Sequence, residues 1–200
     1  MSATVSAILA AVARAAVSYA RRWAKKDARN RGEWRGTYRT NPATVEEAVA
    51  NGYRADQPCI RVTVDSRYPL RFVHETGVEW AIGSGLVSDG GSIPSWAQMS
   101  LKKWFELDPK GGKLKAFLIH DEAYHNGGLW MRPDAKSKWQ FVPVTRAVAD
   151  MLLFQGLTAC EWTTNADCCA IYAAVRSPLG RASWRRCQAR MRKARERDAK

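Results

Sequence analysis

A histidine followed by an aspartate, His120-Asp121, sits inside the apolar segment AFLIHDEAYHNGG, and a further aspartate, Asp150, sits inside VADMLLF. Both segments carry helical patterning, so each polar group enters surroundings where desolvation is costly unless a partner, metal or substrate satisfies it. On a helix, His120 and Tyr124 share a face at i, i+4, while Asp121 is turned about 100° from His120. If the two helices run antiparallel, Asp150 faces His120. A carboxylate bonded to one imidazole nitrogen fixes the tautomer and leaves the other nitrogen as a base. The chemistry this suits is general-base activation of water, and it calls for no Ser or Cys nucleophile. No G-x-S-x-G motif occurs in the chain. The same carboxylates also suit a chemically silent role, binding the backbone N–H groups of a glycine-rich loop within a polar core.

The elements that must position these groups follow from periodicity and punctuation. Residues 4–30 read as an Ala-rich amphipathic helix ending near Asn30-Arg31-Gly32, and residues 33–43 read as irregular and basic. Thr44-Val45-Glu46-Glu47 has the pattern of a capping box, and Asn51-Gly52 stops the helix it opens. The runs IRVTV, LRFV and VEWAI are short and β-branched or aromatic, which predicts a small antiparallel sheet. The stretch from Gly83 to Pro94 is a shaped turn, and residues 95–105 are at least partly helical. Lys113–His125 is a helix closed by Asn126-Gly127-Gly128. LWMRPDAKSKWQFVPV follows as a β-hairpin wing, and Thr145 caps a helix running to about Cys160. A last core helix covers Asp167–Val175. The expected architecture is α+β, a small antiparallel sheet beside two antiparallel helices joined by a β-wing and flanked by basic helical arms. Its divisions are a basic N-terminal arm (1–43), a core (44–180) and a basic C-terminal arm (181–200).

Charge supports that division. The net charge of the 200 residues is +13. Residues 1–39 hold nine Lys/Arg against Asp27 and Glu33, and residues 181–200 hold nine against Glu196 and Asp198, so each end carries +7. The middle therefore carries −1. Arms of this kind attract anionic lipid, an acidic protein surface or nucleic acid without sequence preference. Trp23, Trp34 and Trp184 lie among these basic residues and would suit a lipid boundary or stacking on single-stranded nucleic acid. No apolar run reaches the roughly 20 residues of a membrane-spanning helix. The five cysteines lack C-x-x-C spacing and read as reduced thiols of a protein made in a cytosol. His74 and His125 read as surface or turn histidines, and Glu122 as solvent-facing.

Two resemblances attach to these residues. H-D-x-x-Y on one helix with an Asp on the next resembles the phospholipase A2 active site, particularly its compact viral capsid version. The resemblance implies that His120 activates water, Asp150 orients His120 and Tyr124 supports Asp150. It further implies that Asp121 binds calcium with help from the loop Ser88–Ser92, namely Asp89, Gly90 and Gly91. The secreted enzymes place cysteines around the His and in the loop, where this chain has Ile119, Glu122 and Ala123. The string GLVSDGGSIPSWAQ, LIHDEAYHNG, TRAVADMLLFQGL and YAAVRSPLG also resembles the phage and prophage domain-of-unknown-function family 1353, over roughly residues 60–180. This implies a phage-encoded protein, made in a bacterial host's cytoplasm and associated with the virion.

The expectation is a calcium-dependent His/Asp ester hydrolase acting at an anionic membrane surface. The alternative is a non-enzymatic virion structural or accessory adaptor whose basic arms dock on acidic protein or DNA.

Overall fold

The computed structural model describes residues 32–90, 112–160 and 165–198. The expected helices over 4–30 and 95–105 lie outside them, as do Gly91, Trp23, Trp96, Trp104 and Trp162. Among the described residues the order is β1 (Glu33–Arg35), β2 (Tyr38–Pro42), α1 (Val45–Ala50), β3 (Ile60–Val64), β4 (Arg71–Val73), β5 (Glu79–Ala81) and β6 (Val87–Ser88). There follow α2 (Gly112–Asn126), β7 (Gly128–Arg132), β8 (Gln140–Pro143), α3 (Arg146–Thr158), α4 (Asn165–Arg176) and α5 (Pro178–Asp198). The fold is α+β, with its antiparallel strands divided into a five-stranded sheet, β1-β4-β5-β7-β8, and a three-stranded sheet, β2-β3-β6.

Local chemistry accounts for the division. Leaving β3, the chain turns where Asp65 Oδ1 accepts the N–H groups of Arg67 (2.7 Å) and Tyr68 (3.2 Å). Thr37 donates its N–H to the Tyr68 carbonyl, tying the β1–β2 junction to this turn. β1 then pairs with β4, and β2 with β3. The expectation that residues 33–43 are irregular is thereby corrected. Their side chains are mostly exposed, so backbone pairing at sheet edges forms these strands without apolar alternation. At α1 the capping box forms as expected: Thr44 Oγ1 accepts the Glu47 N–H, and the Glu47 carboxylate accepts the Thr44 N–H.

One part of the core joins both sheets, through Val62 of β3, Phe72 of β4 and Leu129 of β7, to α2, α3 and α5, and a second lies among α2, α3 and α4. Val62, Leu70, Phe72, Leu118, Leu129 and Leu153 are fully enclosed, each contributing about 1.5–3 kcal/mol by leaving water. α2 is the central element, buried without a break from Ala116 to Tyr124. Gly127 ends it at φ +70°, a conformation that costs glycine little. The β7–β8 wing then returns the chain so that α3 runs antiparallel to α2. Ala116 lies against Gly156, His120 against Asp150, and Tyr124 against Asp150 and Arg146. A Cβ on Gly156 would come within 2.8 Å of the Trp34 ring and 3.1 Å of the Ala116 Cβ, so the helices need glycine at this crossing. Trp34 packs on Phe72 and donates its indole N–H to the Gly156 carbonyl (2.9 Å).

α5 is docked along one side. Trp184 meets Tyr124 edge-on at 4.8 Å, Cys187 is part of the core, and Met191 lies against Gly127. Trp34 and Trp184, read as candidates for a lipid or single-strand surface, are therefore packing residues. All five cysteines are buried, and none forms a disulfide.

Across the sheet, Glu79 is 2% exposed and binds two cations, Arg71 (2.9 Å) and Arg132 (2.7 Å). Arg132 also lies over the Trp139 ring at 4.6 Å. Removing one member of a buried ion cluster leaves the others desolvated and unpaired. Glu79→Ala should therefore destabilise the protein by about 3–5 kcal/mol in urea titration. A loss under 1 kcal/mol would mean that this cluster is not a lock between β4, β5 and β7.

Candidate active site

Two helices and a loop bring the polar residues together. His120 Nε2 lies 3.2 Å from Asp150 Oδ1, and the Tyr124 hydroxyl donates to the same oxygen at 2.8 Å. The His120 and Tyr124 rings are 4.1 Å apart, as their i, i+4 spacing requires. His120, Asp150 and Tyr124 thus form the constellation expected of them. On the other side of the imidazole, Nδ1 lies 3.7 Å from Asp121 Oδ1, beyond direct hydrogen bonding and within reach of a bridging water. His120 is 7% exposed and Asp150 is fully enclosed.

Asp150 has further partners that the motif reading did not include. Its Oδ2 faces Arg146 Nε at 3.4 Å and Arg176 Nη1 at 3.3 Å. Arg146 also donates to the carbonyls of Val175 and Ser177, pinning the end of α4 to α3. Both arginines left signals in the sequence: Arg146 stands at i−4 from Asp150, and Arg176 is the arginine of YAAVR. The carboxylate is thus met by two guanidiniums, a phenol and an imidazole.

Burial acts first on His120 and would push its pKa down. The two carboxylates beside it, Asp121 and Asp150, outweigh it and hold the imidazole above its usual value. Burial raises the Tyr124 phenol, with Asp150 adding to the effect, so Tyr124 remains a donor.

The described part of the loop is tied to protein partners. Ser88 donates its hydroxyl to Asp121 Oδ2 at 2.5 Å and accepts the Gly90 N–H at 2.9 Å. Asp89 Oδ2 accepts from Gln57 at 2.6 Å. Of the four residues expected to bind calcium, Asp121 and Asp89 are engaged by protein donors, Gly90 contributes its N–H to Ser88, and Gly91 lies outside the described residues. Calcium takes six to eight oxygens. Among the described residues, no group of three or more His, Cys, Asp or Glu is placed to hold a metal.

Two readings of neighbouring residues are corrected. Glu122, expected to face solvent, is 2% exposed beside Gly83, because α2 is covered on every side. Burial raises its pKa against hydrogen bonds from Asn126 and the Gly83 backbone, and its Oε2 has no hydrogen-bond partner. His125, expected at the surface or in a turn, lies in the last turn of α2 and is mostly buried, with Nε2 2.7 Å from the Tyr53 hydroxyl and Nδ1 3.4 Å from Arg190. Burial holds it below the usual histidine value. His74, by contrast, sits in its turn, with Nδ1 2.8 Å from the Thr76 hydroxyl.

Comparison with protein-family models, curated proteins and solved structures yields no match.

Linkage gives the pH dependence its sign. His120 has a folded pKa above its unfolded value, so its stabilising contribution is full below about pH 6.5 and is lost as pH rises through the folded value. The groups facing it are Asp121 and Tyr124 on α2, Asp150 and Arg146 on α3, and Arg176 on α4. Proton NMR should find the His120 ring titrating above 6.5, and Asp121→Asn should lower that midpoint. A wild-type midpoint at or below 6.5 would show that burial outweighs the two carboxylates.

Proposed function

We propose that this chain is a hydrolase in which His120 is a general base oriented by Asp150 and Tyr124, with a carboxylic ester as substrate. The observation that carries the reading is the pairing of His120 Nε2 with the same Asp150 oxygen that accepts the Tyr124 hydroxyl. With its proton on Nε2 and donated to Asp150, the neutral imidazole keeps its lone pair on Nδ1. A water between Nδ1 and Asp121 gives its proton to Nδ1 while its oxygen bonds to the ester carbonyl carbon. The carbonyl π electrons move to oxygen. Collapse of the tetrahedral intermediate breaks the bond to the alkoxide, which takes the proton back from the imidazolium. Because the folded pKa of His120 is raised, the rate rises with pH through that value.

The resemblance to phospholipase A2 makes a phospholipid ester at an anionic membrane surface the first substrate to test. The resemblance to phage and prophage proteins supports a phage-encoded chain made in the host cytoplasm and carried by the virion. No step is routed through calcium, and its use is read directly by a chelator arm of the assay. Among the described residues no helix is long and apolar enough to cross a membrane.

One observation favours a second reading, a non-enzymatic virion adaptor. Every carboxylate of the constellation is satisfied internally, Asp150 by four side chains and Asp121 by Ser88, which is what a purely structural polar core requires.

The two are separated by fatty-acid release from mixed anionic liposomes and hydrolysis of a soluble short-chain ester, each with calcium and with chelator. Wild type should release product, and His120→Ala should lower the rate by about 10²–10⁴-fold. Tyr124→Phe, which keeps the ring packing, should be impaired less. No release by folded wild-type protein under any condition would favour the adaptor.

A further inference from the structure

The structure divides α5 lengthwise. At about 100° per residue, Trp184, Cys187 and Met191 fall on one side of the helix, and these are the residues packed on Tyr124, in the core and against Gly127. The exposed Arg181, Arg185, Arg186, Arg192 and Lys193 fall within an arc of about 140° on the other side. They extend over about 18 Å of helix axis. The described acid on that face is Glu196.

We propose that this face of α5 binds the phosphate backbone of duplex nucleic acid without regard to sequence. The inference stands whether or not His120 is catalytic. What decides between polyanions is where the apolar side chains of α5 have gone. A helix that lies in a membrane interface buries its own apolar side among lipid chains. Here that side is already occupied by α2 and the Gly127 that closes it, and Leu179 in the first turn is the one large apolar residue of α5 that is strongly exposed. Single-stranded nucleic acid is gripped by stacking its bases on aromatic rings. Trp184, the aromatic residue of α5, is turned inward against Tyr124. What the outer face offers is charge at regular spacing, four guanidiniums and one ammonium. Guanidinium matches phosphate oxygens two at a time, and a duplex presents phosphates along the length of such a helix.

The test is fluorescence anisotropy of full-length protein with a labelled 20-base-pair duplex of arbitrary sequence, from 50 to 200 mM salt. Five phosphate contacts give a slope of log K against log salt of about −4.5 or steeper, a weakening of about 500-fold over that range. The variant Arg185→Gln/Arg192→Gln/Lys193→Gln should make the slope shallower by about 2.7. Lys136→Gln, on the exposed turn of the wing, should leave it unchanged. Circular dichroism checks folding, and since all three substituted residues are exposed, no core contact is removed. An unchanged slope and affinity in the triple variant would overturn the assignment to α5. So would failure of wild type to bind at 50 mM salt. Tighter binding at equal salt to single-stranded DNA, or to phosphatidylglycerol vesicles, would overturn the duplex as ligand.

Discussion

A fully enclosed carboxylate is the constraint around which the helical half of this protein is arranged. Taking an ion such as Asp150 out of water costs several kcal/mol even after relaxation, and only well-placed partners offset it. Those partners come from three helices: His120 and Tyr124 on α2, Arg146 on α3 itself, and Arg176 at the end of α4. Satisfying one side chain therefore fixes the crossing of α2 and α3 and the docking of α4. The wing has only to be long enough to return the chain at the right register. Gly156 serves the same end by allowing the helices to approach where Ala116 and Trp34 meet them.

The polar site was legible in the sequence because it breaks a local rule. Charged groups inside apolar helical segments call for partners, and the turn residues between the segments placed those partners opposite one another. The glycine and asparagine that close α2, the threonines that cap α1 and α3, and the β-branched runs of β3, β4 and β5 act locally and could be read directly. What could not be read is set by tertiary context. Strands β1 and β2 are edge strands, formed by backbone pairing to β4 and β3, so their side chains carry no alternating pattern. Glu122 resembles an exposed helix residue until α2 is found to be covered all round, and the burial of His125 depends on Tyr53 and Arg190, both remote in sequence. The α+β class follows from local signals, while the parting of the strands into two sheets is set by which distant strand each of β1 and β2 pairs with.

Charge is distributed by the same logic of partners. Inward-facing arginines, Arg71, Arg132 and Arg146, answer buried carboxylates, whereas the arginines of the outer α5 face answer nothing in the core. A count of basic residues cannot tell these classes apart, although one belongs to folding and the other to the surface. The segment that composition marks as a basic arm is half scaffold, since the side of α5 carrying Trp184 and Cys187 is as much core as any strand.

The docking of α4 and α5 over α2 also sets an order in time. Chains are made from the N-terminus, and domains begin to fold as they emerge. Asp150 is synthesised before Arg176, and Tyr124 before the Trp184 that covers it. A nascent chain that has released α2 and α3 thus holds a carboxylate with only part of its compensation and an uncovered aromatic face. A chain that ends before Arg176 therefore leaves Asp150 with three of its four partners and Tyr124 without the ring that covers it.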